Sequence, residues 1–281
     1  MQHIEFFHID HFENNYFRVK PPGDLANFID FIWETKFDKL LEQNPLGFSD
    51  ALFPNIGYTY LINLGTPFIM QVDEEQFEMK TDGFLPRHKS IECFHRSGNK
   101  LFGIKFKVSP VIFEKKINFS EYRGFIFPLS YLLDQQIISK VKKAENFNER
   151  VLLLISYFRN IIQKHPQPMR PINIVTEILE DCNASNDFKT SIQSFATRYN
   201  ISTRTLQRYF ETTTSISSKQ ALQILRIRKA TQHLATAPES FHFSLYGYYD
   251  KSHFYKHLKS FLQKTTLHNL KPHLKLLEGL H

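Results

Sequence analysis

The stretch Ser191-Ile-Gln-Ser-Phe-Ala-Thr-Arg-Tyr-Asn-Ile-Ser-Thr-Arg-Thr-Leu-Gln-Arg-Tyr-Phe-Glu211 decides how the rest of the chain reads. Ile192, Phe195, Ala196 and Tyr199 fall at helical spacing, and the small Ala196 sits where a second helix can cross closely. Asn200 tolerates the left-handed conformation of a tight turn, Ile201 can plug between two helices, and the Ser202 hydroxyl can cap the second. On that second helix Leu206 and Phe210 point inward four residues apart. Arg204, Gln207 and Arg208 then fall on the opposite, exposed face near its start. The pattern is that of a helix-turn-helix, whose second helix can offer Arg and Gln to base edges in a major groove. Two ordinary packed helices with a polar face would show the same short pattern.

Working outward, the same logic returns 48 residues later. Gly247 supplies a turn, Asp250 an N-cap, and Phe254 with Leu258 an inward stripe, leaving Lys251, Ser252, Tyr255, Lys256 and Lys259 facing out. Between the units, Ile224, Ile227, Ala230 and Leu234 mark a long helix over 217–237, closed by Pro238. Such a helix would hold the two units on one rigid body, able to enter major-groove segments about 34 Å apart. Ile172, Val175 and Leu179 open an earlier helix, and Phe254, Leu258, Phe261 and Leu262 carry the last. Nothing in this half alternates, so it reads as all-α.

Charge divides at the same place. Residues 188–281 hold 14 Lys and Arg against only Glu211, Glu239, Asp250 and Glu278, a net +10, whereas residues 1–187 carry a net −3. A basic third on a nearly neutral remainder is the electrostatic footprint of a polyanion-binding domain, although a solvated basic surface would carry the same charge. The boundary is His165-Pro-Gln-Pro-Met-Arg-Pro171, where three prolines stop both helix and strand. The expected division is therefore 1–165, a linker at 166–171, and 172–281.

The first part changes period partway. Phe102, Ile104, Phe106 and Val108 alternate with Gly103, Lys105 and Lys107, predicting a strand with one wet face. Tyr58–Leu64, Phe68–Val72, Gln76–Lys80 and Lys89–His95 read as further short strands. Ser109-Pro110 looks like a helix start, and Val151, Leu154, Ile155, Phe158, Ile161 and Ile162 form a helical stripe. The expected fold class is α+β: a small antiparallel, curled, cupin-like sheet with appended helices, followed by an all-α double helix-turn-helix domain.

The 281 residues suit about two domains, and 28 Phe can fill more than one core. The longest apolar run, Val151–Ile155, stops after five residues, so no membrane partner is expected. The N-terminus lacks a secretory pattern, and two distant cysteines without ligand spacing are expected to exclude a disulfide scaffold and a cysteine-based zinc site and to suit a reducing, cytoplasmic setting.

Three ordered blocks carry a family resemblance. They are Ser202-x-x-x-Leu206-Gln207-Arg208-x-Phe210, Arg226-x-x-x-Ala230-x-x-x-Leu234, and Gly247-Tyr248-x-Asp250-x-Ser252-His253-Phe254. Together they resemble the signature of the bacterial AraC/XylS-type transcription regulators over roughly residues 172–266. The resemblance implies a domain of two helix-turn-helix units that binds double-stranded DNA near promoters. Its implied base-reading residues are Arg204, Gln207 and Arg208, then Lys251, Ser252, Tyr255 and Lys256. Pro21-Pro22-x-x-Leu25-x-x-Phe28-Ile29-x-Phe31-Ile32-Trp33 and Leu101–Phe106 resemble the uncharacterised sensor-like domain found ahead of this unit in some members. RNA polymerase, a small-molecule effector and a second copy of the chain become candidate partners. Activation and repression stay equally open. The family's Gly and Pro after the first recognition helix are Ser215 and Ser218 here, the small residue before the second turn is Phe243, and the trailing Gly and Pro are Gln263 and Thr266.

No enzyme is expected. No two of the ten glycines lie closer than five positions, which removes the dinucleotide fingerprint and the Gly-x-Ser-x-Gly elbow, and Gly98 and Gly103 are followed by Ile-Lys instead of Lys-Ser/Thr. No cofactor or metal is expected either. His88, Glu92, Cys93 and His95 form the best ligand group, but only Cys93 and His95 share a strand face, and 13 His scattered along the chain make such groups by chance. A second reading keeps a metal- or small-molecule-binding cupin-like protein whose basic helices bind DNA non-specifically or bind another protein.

Overall fold

A computed structural model describes residues 14–115, 125–166 and 169–262. Among the described residues, ten short strands form two antiparallel sheets. The larger holds β1 (Tyr16–Val19), β2 (Ile29–Lys36), β9 (Lys100–Phe106), β4 (Tyr58–Asn63), β7 (Gly83–Pro86) and β10 (Phe127–Pro128), in that order across the sheet. The smaller holds β3 (Phe48–Leu52), β8 (Ile91–His95), β5 (Phe68–Val72) and β6 (Glu75–Met79). The two sheets face each other across one core, with Phe31, Trp33, Leu61 and Leu101 of the larger meeting Phe68, Met70, Ile91 and Cys93 of the smaller.

The outer face of the larger sheet is also covered. Tyr58, Tyr60, Phe102, Ile104 and Phe106 pack there against α3 (Gln135–Lys143) and α4 (Phe147–Lys164), through Ile138, Val141, Leu154 and Phe158. Burial on both faces explains why β4 is buried at every position, whereas β5 and β8 alternate buried and half-buried. The strand expected to carry one wet face, β9, therefore has none. Gly103 lies under the Trp33 indole, where a Cβ would come within 2.3 Å of the ring. Lys105 is 1% exposed, and its ammonium donates to the carbonyls of Ile56 and Phe106. A lysine hydrogen-bonded to backbone can thus occupy a position that alternation assigns to water.

The helix expected at Ser109-Pro110 is one turn, α2 (Val111–Glu114). Ser109 is fully buried against the Tyr60 hydroxyl, 3.4 Å from the Val111 amide, and Pro110 flanks the turn. A short helix, α1 (Asp38–Gln43), follows β2. Glu34 on β2, 2% exposed, accepts a hydrogen bond from Arg150 of α4 and forms an ion pair with Lys100 of β9, both at 3.1 Å. That network pins α4 to the sheet.

Five helices follow: α5 (Arg170–Ser185), α6 (Ile192–Arg198), α7 (Thr203–Thr214), α8 (Ser218–Thr236) and α9 (Lys251–Leu262). Helix α5 begins inside the expected linker, because Pro171 stands in its first turn, where no amide partner is needed. Residues 167–168 lie outside the described part of the linker. The overall class is α+β, as the sequence predicts.

Candidate nucleic-acid interface

The first unit closes as its residues dictate. Phe195 and Ala196 of α6 and Leu206 and Phe210 of α7 are buried with Val175 and Ile178 of α5 and Ile224 and Leu225 of α8. Asn200 takes the left-handed conformation at φ 52°, and the Ile201 amide donates to Ala196 O at 3.0 Å. The Ser202 hydroxyl accepts from the Thr205 amide at 3.1 Å, starting α7. Arg204 and Arg208 are exposed on its open side.

Gln207 departs from the expectation of an exposed base reader. It is half-buried, its amide nitrogen donates to Glu211 at 2.8 Å, and its oxygen accepts from the Ser218 hydroxyl at 3.0 Å and the Ser218 amide at 3.3 Å. Ser218 stands where proline is usual in the resembling family, and a proline there would have no N–H to give. The serine amide and the Gln207 oxygen instead clasp the corner between α7 and α8. At that corner Ser215 holds φ 66°, a left-handed conformation in which a side chain is strained.

The second unit forms too. Gly247 turns at φ 73°, and the Asp250 carboxylate accepts from the His253 amide at 2.7 Å, capping α9. Lys251, Ser252, Tyr255, Lys256 and Lys259 are all exposed, on the side opposite buried Phe254 and Leu258. Phe243 lies in a short 3-10 turn, half-buried, where a small residue is usual. Gln263 and Thr266 lie outside the described residues.

What sequence reasoning missed is where the apolar side of α9 goes. Phe254, Leu258, Phe261 and Leu262 belong to the same continuous apolar cluster as the residues between the two sheets, and the Phe261 ring stacks on Phe53 with centroids 5.2 Å apart. Arg228 of α8 donates to Pro54 O at 2.9 Å. The second unit is therefore seated on the strand-rich part, while the first has a core of its own. Against α9, His257 bonds the Tyr248 hydroxyl at 2.7 Å through Nδ1. Burial, with Arg226 and His253 nearby, pushes its pKa down to about 4.

A cavity of about 350 Å³ lies where β2 and β9 meet α5. Ile29, Phe106, Val175 and Leu179 give it apolar walls, and Arg18, Lys20, Lys105 and Lys107 bring cations against Asp30 and Glu180. Lys107 pairs with Glu180 at 3.4 Å across the opening. This cavity lies at the junction of the strand-rich part with α5. No described helix is long and apolar enough to cross a membrane.

No protein-family model matches the chain, and no curated protein sequence matches it. Among solved structures, ToxT from Vibrio cholerae in its P21 form is similar at 9% identity, covering 94% of this chain and 99% of that one, with a TM-score of 0.44. Unsaturated fatty acid-bound ToxT from strain SCE256 is similar at 9% identity over 94% of this chain and 95% of that one, with a TM-score of 0.45. The AraC-like transcriptional activator CuxR is similar at 10% identity over 84% and 92% of the respective chains, with a TM-score of 0.28. All three scores lie below 0.5, and the class described above rests on this chain's own strands and helices.

Proposed function

We propose that the chain is a sequence-specific DNA-binding transcription regulator of the AraC/XylS type. The observation that carries this reading is the pair of capped helices, α7 and α9, each showing cations on one open face and joined through α8. Arg204 and Arg208 are the base readers of the first unit, each able to grip guanine through two donors. Gln207 is a positioning residue: its hydrogen bonds to Ser218 and Glu211 set the angle of α7. In the second unit Lys251, Ser252, Tyr255 and Lys256 face the duplex, and Lys259 sits on phosphate. The division of labour follows the sequence boundary, with the strand-rich part regulating and residues from α5 onward binding DNA.

The cavity between β9 and α5 supports the regulatory half of the proposal. Arg18 and Lys20 beside its apolar walls suit a small amphiphilic anion, Lys105 and Lys107 being held by backbone carbonyls and Glu180, and an occupant would touch both parts of the molecule at once. Neither catalysis nor a membrane enters the proposal.

The test is selection of bound sites from random duplexes, using the full chain because α9 rests on the strand-rich part. The reading requires an enriched motif of two half-sites about one helical turn apart. A single short motif would mean that the second unit contacts phosphate alone. Binding that no sequence improves would favour the alternative of a basic helical surface on a ligand-binding protein.

A further inference from the structure

The facing sheets enclose a polar cluster that the nucleic-acid interface does not use. Asp50 on β3 stands opposite Cys93 on β8 in the antiparallel register. His95, two residues further along β8, shares the face of Cys93. The carboxylate, thiol and imidazole ligand atoms all lie within 4.8 Å of one another. The three residues are 5%, 3% and 2% exposed, an unusual degree of burial for this set. His88 and Glu92, the other members of the group suggested by the sequence, take no part; Asp50 replaces them.

His95 fixes the chemistry. Its Nδ1 lies 2.7 Å from the side-chain oxygen of Asn99. The Asn99 amide nitrogen donates to Thr66 O at 3.3 Å, which sets that side chain's orientation. The oxygen is therefore the atom facing His95, so Nδ1 donates to it and Nε2 is the nitrogen turned toward Asp50. Nε2 has no hydrogen-bond partner, and the nearest Asp50 oxygen is 3.8 Å away, beyond hydrogen-bond reach. A buried carboxylate and imidazole nitrogen at this spacing, with the Cys93 thiol beside them, are placed to share one cation. Two ligands each about 2.1 Å from one tetrahedral ion stand about 3.4 Å apart, so a small closure brings both to bonding distance. Asn99 is then the outer-shell partner that metal-bound histidines ordinarily have. Phe37 stacks on the imidazole at 4.0 Å and holds its plane. His95 also borders a surface depression lined by Leu46, Gly47, Phe48 and Ser49.

We infer that Asp50, Cys93 and His95 form a binding site for one divalent cation of the zinc class, whose fourth position is left to water. The oxygen, nitrogen and sulfur set suits zinc better than calcium or magnesium. On binding, the Cys93 thiol releases its proton to solvent and Sγ bonds the metal, while Asp50 and His95 Nε2 donate lone pairs; no electron changes hands. The site is independent of DNA binding, so either proposal can fail alone.

The test titrates the metal-free full chain with cobalt(II) and then displaces it with zinc(II). One equivalent should bind, giving a sulfur-to-cobalt band in the near ultraviolet and tetrahedral absorption in the visible. Cys93→Ser should abolish the near-ultraviolet band, His95→Gln should weaken binding at least tenfold, and Cys182→Ser should change neither. Asn99→Ala should cost about tenfold in affinity. The unaltered chain gives a second readout should a variant fail to fold: zinc should raise its melting temperature by several degrees. A titration without the sulfur band, a band that survives Cys93→Ser, or an unchanged melting temperature would overturn the assignment.

Discussion

The two helix-turn-helix units share a plan but differ in what lies behind them. The first backs onto α5 and α8 and buries Phe195, Leu206 and Phe210 in a core made almost wholly of neighbouring helices. The second backs onto the strand-rich part, with Phe261 against Phe53 and Phe254 and Leu258 in an apolar cluster continuous with the core between the sheets. The first is thus supported mainly by helices, with the cavity lying against α5 and Thr214 of α7, and the second is tied to the half of the molecule that carries the Asp50–Cys93–His95 cluster.

The largest expected effect comes from cutting the tie. Phe261→Ala should cost about 3–5 kcal/mol of stability, as for other buried aromatic truncations, measured by urea unfolding. Phe53→Ala should reproduce much of that loss and release amide protection in α9 while sparing α7, seen by hydrogen exchange. Equal loss of protection in both helices would mean the units are not separately supported. Next is the reading of DNA. Arg208→Ala should weaken binding by about 1–3 kcal/mol, concentrated at one base position of one half-site. A uniform loss would make Arg208 a phosphate contact. Smaller again, Ser215→Gly should stabilise by about 1 kcal/mol, because glycine accepts φ 66° freely and the buried Ser215 hydroxyl has no hydrogen-bond partner. Lys259→Ala should lower affinity for every duplex slightly and flatten the salt dependence by about one unit of slope.

The second unit also has its own pH signature. His257 is held near pKa 4 in the fold and returns to about 6.5 when unfolded, so the unfolded chain binds the extra proton between those values. Its contribution is full above pH 6.5 and is lost as pH falls toward 4. His257→Gln should flatten the stability profile in that window, and an unchanged profile would show that the Tyr248–His257 contact is not maintained in solution.

Much of this was legible from local chemistry. Asn200, Ser202, Gly247 and Asp250 are turn and cap residues whose roles depend on their immediate neighbours, and all four act as expected. Strands β5 and β8 could be found because the smaller sheet keeps a half-buried face, preserving alternation. Strand β2 has no such rhythm: Phe31, Ile32, Trp33, Glu34 and Thr35 are all buried, since both faces of the larger sheet are covered. Gln207 was misplaced because its partner Ser218 lies eleven residues away, around a corner that helical spacing does not describe. Asp50 was missed as a neighbour of Cys93 because strand pairing across 43 positions leaves no mark in spacing.

The central claim is that the exposed arginines of α7 read sequence. Its most direct measurement is a binding cycle on the selected duplex: unaltered chain and Arg208→Ala, each against the preferred base and a substitution at the Arg208 position. The account predicts that the base change costs the unaltered chain about 1–3 kcal/mol and costs the variant almost nothing. Equal penalties in both proteins would contradict it.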